Sequence, residues 1–116
     1  MTNKPWKQFE RDVGVLIGGK RHPANTGGSV DAESDTFVAQ CKNVKALSLA
    51  ALERLAREIT FHGKLDNKIG VVAVKRRAGA GIPTETLMVL SERAWLELLR
   101  RAGNLDKGEP DPHDTN

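Results

Sequence analysis

The sequence predicts a single α/β domain in which helices flank a mixed sheet, with the elements in the order αβββαββα. Apolar residues recur at helical spacing in three segments, which start near Pro5, Ser48 and Ser91. The runs between these segments are short and alternating or apolar, and glycine or polar clusters bound them, as is typical of strands. The 116 residues suffice for one such core but not for two domains of ordinary size.

The first helix is predicted from its cap and from its apolar stripe. Asn3 and Pro5 fit an N-cap and a first helical residue, and Gly18-Gly19 ends the helix. The stretch 14–20 has the glycine spacing of a P-loop, but its glycines close a helix instead of opening one, so we interpret it as a helix stop. The apolar stripe consists of Trp6, Phe9, Val13, Leu16 and Ile17.

Three strands are expected after this helix. Residues 20–26, which are interrupted at Pro23, predict an edge strand. Residues 29–32 and 36–42 predict a β-hairpin with residues 33–35 as its turn. The hairpin would form the antiparallel part of the sheet.

Helices and strands alternate in the second half of the chain. Ser48 begins a helix that is expected to stop at Gly63, and the apolar run 69–74 predicts a strand covered on both faces. Because a crossover helix joins this strand to the hairpin, the two strands should run parallel. A glycine-rich basic loop at 75–81 and a strand at 84–90 follow.

A last helix is expected after the cap residue Ser91, and Gly103 closes it. Its apolar residues are Trp95, Leu98 and Leu99. The acidic stretch 104–116 has no periodicity and is expected to be disordered, which leaves 1–103 as the domain.

Composition narrows the class of partner. Residues 1–103 contain 17 basic and 11 acidic residues, and this balance favours a polyanion such as nucleic acid. No apolar run approaches the ~20 residues that cross a bilayer, and the first residues lack the apolar core of a secretory leader. We therefore expect a cytoplasmic protein without a membrane partner. Cys41 is the single cysteine, so neither an internal disulfide nor a zinc-type site is expected.

Polar residues within the first helix and on the hairpin strands are candidate site residues. Glu10 lies within the apolar stripe of the first helix, where a carboxylate needs a cation or a donor; alternatively it lies at the stripe edge and pairs with a surface lysine. Strand alternation sends Gln40 and Lys42 to one face at the end of a strand. Asp31 and Glu33 share a face of the neighbouring strand, and each acid taken singly is also explained as a hairpin charge.

Together, Glu10 on the opening helix, Asp31 on a strand and Gln40-Cys41-Lys42 at the end of the next strand resemble the PD-(D/E)xK nuclease superfamily. The resemblance covers residues 5–102. Size, the helical glutamate and the shape of residues 21–47 are most similar to archaeal-type and phage Holliday junction resolvases, whereas the Gln-x-Lys version is similar to Mrr-type restriction endonucleases. The resemblance to the superfamily implies a restriction-endonuclease-like core. It also implies that the chain is a metal-dependent endodeoxyribonuclease that cleaves branched DNA.

The resemblance also implies a role for each residue. Asp31 would be the central ligand of Mg²⁺, for which Mn²⁺ substitutes, and Glu10 a second-site ligand. Gln40 would offer its amide oxygen and Cys41 its backbone carbonyl, which are the hard oxygen ligands that magnesium requires. Lys42 would orient or deprotonate the attacking water and stabilise the pentavalent phosphate.

Gln40 departs from the family's acidic residue and removes one negative charge from the site. Glu33 or Asp35 could compensate, and Asp35 is the alternative to Asp31 as central ligand. A further alternative is a DNA-binding module that keeps the nuclease fold without cutting.

Basic residues on both sides of the hairpin and in the glycine-rich loop are expected to contact DNA phosphates. No aromatic residues interleave with them, which argues against single-strand binding by base stacking. A four-way junction and a homodimer are expected, since two symmetric cuts need two active sites. A merely solvated basic rim is the alternative. The expected contact residues are Lys20, Arg21, Lys45, Lys75, Arg76 and Arg77, with His22 and Lys42 beside them.

Overall fold

A computed structural model describes residues 5–21 and 30–103 of the chain. Within these ranges the chain forms three helices and five strands in the predicted order αβββαββα. The elements are α1 (Pro5–Leu16), β1 (Lys20–Arg21), β2 (Ala32–Glu33), β3 (Phe37–Val44), α2 (Leu49–Leu65), β4 (Ile69–Arg76), β5 (Thr86–Val89) and α3 (Glu92–Arg101).

The strands form one mixed sheet in the order β1-β2-β3-β4-β5. Strands β3 and β4 are parallel, as the crossover through α2 requires, and the other neighbours are antiparallel. Helix α1 packs against one face through Phe9 and Val13, and α2 packs against the other through Ala56 and Ile59. The predicted α/β class, with a mixed sheet flanked by helices, is therefore confirmed.

The end of α1 shows why its glycines are needed. Gly18 has a φ of 82°, its N–H donates to the carbonyl of Val15, and the N–H of Gly19 donates to that of Gly14. A Cβ on Gly19 would lie 2.0 Å from the carbonyl oxygen of Glu33. The helix stop is confirmed, since Gly18 has a backbone conformation that favours glycine and Gly19 packs closely against Glu33.

The predicted end of α2, at about His62 before Gly63, is wrong by three residues. The helix continues through Gly63 to Leu65, and Asn67, with a φ of 58°, turns the chain. A Cβ on Gly63 would lie 2.5 Å from the carbonyl oxygen of Lys68. Gly63 therefore allows the chain to return closely past the helix instead of ending it.

Strand boundaries also differ from the prediction. The first hairpin strand, predicted at 29–32, is Ala32–Glu33. Asp31 lies in a bend before it, and Glu33 belongs to the strand and not to the predicted turn. Strand β4 continues to Arg76, so Lys75 and Arg76 belong to the sheet and not to the glycine-rich loop, which covers 77–85.

The last helix begins at the predicted cap, where Ser91 Oγ accepts from the N–H of Ala94. Ala94 is its buried residue, whereas Trp95 and Leu99 are at least partly exposed. Among the described helices, none is long and apolar enough to cross a membrane. The Asn3 cap, His22, the strand prediction for 22–26, residue 29 and the tail 104–116 lie outside the described residues.

Candidate metal and DNA site

Asp31, the expected central ligand, lies directly before the first residue of β2, beside the longer strand β3. Strand β2 starts at Ala32 while β3 extends to Val44, so the second half of β3 has no β2 residue beside it. Asp31 lies at this point: its N–H donates to the carbonyl of Ala39, and its Oδ2 accepts from the N–H of Cys41, both at 2.8 Å. The carboxylate thus takes the position of the next backbone acceptor, at a part of the β3 edge that no described strand covers.

Charged side chains from three further elements act on Asp31. Burial raises the pKa of its carboxyl, the bond from the Cys41 N–H opposes the rise, and the Glu10 carboxylate adds to it. The Lys42 ammonium and the Arg21 guanidinium lower the same pKa. Residues of α1, β1 and β3 thus lie within electrostatic range of Asp31.

Gln40 contributes a buried acceptor. Its Oε1 is inaccessible to solvent and has no hydrogen-bond donor among the described residues. Gln40 directly follows Ala39, which pairs with Ala32, the residue after Asp31. Leaving such an oxygen unsatisfied costs about 1–3 kcal/mol, and a bound cation would satisfy it. This is an observation that fits a metal ligand.

Cys41 can offer only its backbone. In a strand the N–H and the carbonyl of one residue point to the same edge, so the carbonyl of Cys41 faces the side on which Asp31 lies. Burial raises the pKa of the Cys41 thiol well above its ordinary value, and the charges of Asp31 and Glu10 raise it further. A thiolate ligand is therefore disfavoured.

The donor set that the resemblance implies consists of two carboxylates, an amide oxygen and a backbone carbonyl. In residues 5–21 and 30–103, no group of three histidine, cysteine or acidic side chains is close enough to hold a metal ion. The expected site does not need a third carboxylate, and hard oxygen donors of these kinds are what Mg²⁺ prefers. The donor types of these residues match that preference.

Glu10 has an arginine partner that the sequence did not reveal. Arg21 Nε donates to Glu10 Oε1 at 2.8 Å, and the two side chains are 21% and 13% exposed. The ring of Trp6, one helical turn before Glu10, lies 5.9 Å from the guanidinium carbon. The partner is therefore Arg21 and not the surface lysine of the alternative interpretation.

The other acids of the hairpin lie away from this edge. Glu33 pairs with Lys68 at 2.7 Å and stands opposite Val38. Asp35 is exposed in the turn. At ~3.3 Å per strand residue, the turn is on the order of 10 Å from the level of Gln40. The placement favours Asp31 over Asp35 as central ligand.

Several predicted DNA contacts meet at the site's end of the sheet. Because β3 and β4 are parallel, their carboxyl ends lie side by side, with Lys42 opposite Val74 and Val44 opposite Arg76. Lys45 follows β3 directly, and Arg77 follows β4. Lys45, Arg76 and Arg77 are exposed, so this end carries available positive charge.

Two further expected contacts are placed differently. The Lys75 ammonium donates to the carbonyl of Thr84 at 2.8 Å and so joins the end of β4 to the end of the loop. Lys20 lies in β1 opposite Glu33, toward the turn of the hairpin. The fold therefore separates Lys20 from the exposed basic end, whereas Lys75 lies beside that end with its ammonium already engaged.

Function has to be inferred from this geometry. Comparison of the chain with protein-family models, curated proteins and solved structures gave no match.

Proposed function

We propose that the chain is a metal-dependent endodeoxyribonuclease with a restriction-endonuclease-like core that cleaves branched DNA, as Holliday junction resolvases do. The observation that carries this proposal is the electrostatic coupling of Asp31 to Glu10 of α1 and to Lys42 of β3, together with the buried amide oxygen of Gln40 in β3, which has no donor among the described residues. Two carboxylates, an acceptor and an ammonium are the parts that metal-assisted phosphodiester hydrolysis needs.

Each residue has a defined task in this chemistry. Asp31 and Glu10, with the oxygens of Gln40 and Cys41, would hold Mg²⁺ or Mn²⁺. The bound ion supplies Lewis acidity at the scissile phosphate. Lys42 orients the attacking water and neutralises charge that develops on the phosphate oxygens.

The substrate and assembly follow from the basic end and from symmetry. Lys45, Arg76 and Arg77 would bind backbone phosphates on either side of the cleaved strand. A four-way junction is cut at two symmetric positions, and one chain offers one site, so the working form is a homodimer. Such an enzyme would act on cytoplasmic DNA.

The test is cleavage of a labelled four-way junction and of a linear duplex with the same arms, each with Mg²⁺. The full chain should nick the junction preferentially. Asp31→Asn should lose cleavage, whereas Asp35→Asn, the matched control in the turn, should retain it. Equal cutting of both DNAs would instead support an Mrr-like general endonuclease, and loss in Asp35→Asn alone would move the central ligand to the turn.

A second candidate is a DNA-binding module without catalysis. It is favoured by the neutral Gln40 and by the pairing of Glu10 with Arg21, which already neutralises that carboxylate. It predicts salt-sensitive DNA binding that divalent ions leave unchanged, without cleavage product. Gain of cleavage in Gln40→Glu from an inactive parent would support the module, whereas Gln40→Ala that cuts like the parent would remove this side chain from the ligand set.

A further inference from the structure

Arg21 connects the two parts of the proposed site. It is an expected phosphate contact, yet its guanidinium pairs with Glu10, an expected metal ligand. Guanidinium groups bind carboxylates and phosphates by the same charge-assisted hydrogen bonds. A cation that already holds Glu10 also opposes the approach of a second cation. Arg21 therefore competes with the metal for Glu10, and a phosphate would compete with Glu10 for Arg21.

We propose that Arg21 is a positioning residue that occupies Glu10 in the free protein and transfers to a DNA phosphate when substrate binds. Glu10 then becomes available to the metal only beside DNA. This inference rests on the proposed nuclease function. By thermodynamic linkage, DNA should tighten metal binding and metal should tighten DNA binding by the same factor.

Exposure and neighbours of Arg21 fit this role. About a fifth of its side chain remains accessible, so a phosphate can reach it without unfolding β1. Its β-register partner Ala32 belongs to the core on the α1 face, which keeps Arg21 directed toward that helix. Arg21 also acts electrostatically on Asp31, so its transfer alters the charge around both carboxylates.

The decisive experiment is calorimetric titration of the full chain with Mn²⁺ in the absence of DNA. Arg21→Gln should bind Mn²⁺ on the order of tenfold more tightly than the parent, because Glu10 is no longer occupied. Arg54→Gln is the matched control: this exposed residue of α2 loses the same charge and should leave the affinity unchanged. The double variant Glu10→Gln/Arg21→Gln should bind Mn²⁺ no more tightly than the parent.

Unchanged or weaker Mn²⁺ binding by folded Arg21→Gln overturns the inference, as does a gain that persists in the double variant. If the parent cuts junction DNA with Mg²⁺ in that case, the proposed function stands and only the role of Arg21 falls. If neither the parent nor any variant binds Mn²⁺ and the parent does not cut, both proposals fail.

A second readout keeps Arg21 intact. The chain contains two tryptophans, so in Trp95→Phe the only indole emission comes from Trp6, whose ring faces the guanidinium. Metal-free junction DNA should change this emission as Arg21 leaves Glu10. An emission that saturating DNA leaves unaltered would contradict the transfer.

Discussion

Lys42 separates chemistry from binding more cleanly than the carboxylates, whose removal disturbs metal, charge and hydrogen bonding together. Lys42→Ala should reduce cleavage by roughly 10²–10⁴-fold, since a positioned proton-transfer group contributes that much. Junction affinity should change far less, and the salt slope should flatten by about one unit. Single-turnover cleavage and fluorescence anisotropy measure the two effects.

Lys45→Ala is the control for this prediction. Lys45 is exposed just beyond β3, so its loss removes the same charge near the site without touching the catalytic edge. Its cleavage rate at saturating DNA should equal that of the parent. Near-parental cleavage by Lys42→Ala would remove Lys42 from the chemistry and with it the main support for the nuclease resemblance.

Asp31 should reveal a conflict between function and stability. Its folded-state pKa is raised, above all by burial, so the protonated carboxyl is favoured by folding. The stabilising contribution is therefore complete below the ordinary value of 3.8 and is lost as the pH rises through the higher folded-state pKa. The side-chain oxygen of an asparagine can still accept from the N–H of Cys41 and cannot ionise.

Metal-free Asp31→Asn should consequently unfold at higher denaturant than the parent at about pH 7, and the difference should shrink toward about pH 3. Urea denaturation at several pH values measures it. A difference that grows on acidification would show that the attraction of Lys42 and Arg21 for the carboxylate outweighs its burial.

Glycines set the contact between elements. A Cβ on Gly70 of β4 would lie 2.2 Å from the carbonyl oxygen of Ile59 in α2. Gly70→Ala must therefore push the helix off the sheet and should cost roughly 1–3 kcal/mol of unfolding free energy. Gly79→Ala is the control, because its nearest neighbour would be a side-chain carbon of Ile82 at 3.7 Å. Equal denaturation midpoints for the two variants would contradict this account of the α2–β4 contact.

The number of basic residues that contact DNA should set how strongly DNA binding depends on salt. Lys42, Lys45, Arg76 and Arg77 are the predicted contacts at the exposed basic end. At ~0.9 ions per phosphate contact, the logarithm of affinity should fall with the logarithm of salt with a slope of about −3 to −4 per chain. Anisotropy titrations with metal-free duplex at several salt concentrations measure this slope.

Neighbouring residues of β4 provide a matched pair for this measurement. Arg76→Ala should reduce the slope by about one, since its side chain is exposed. Lys75→Ala should leave the slope unchanged, because the Lys75 ammonium is engaged by the carbonyl of Thr84. A loss of slope in Lys75→Ala would show that DNA displaces this internal bond.

Local sequence signals determined the order of the helices and strands and the positions of several of their ends. The caps at Ser48 and Ser91, the stop at Gly18 and the alternation along β3 depend on neighbours within a few residues. The structure agrees with each, since Ala39 and Val38 belong to the cores on opposite faces of the sheet. The same alternation predicted that Gln40 and Lys42 leave one face of the sheet.

Only the tertiary structure decided which groups meet. The pairing of Glu10 with Arg21 joins residues eleven apart, and the close return past Gly63 depends on the chain beyond the helix. The bond from the Cys41 N–H to Asp31 and the unpartnered oxygen of Gln40 depend on where β2 begins. Periodicity and capping act over one or two turns, whereas the burial and charge that define a site arise between elements brought together by the core.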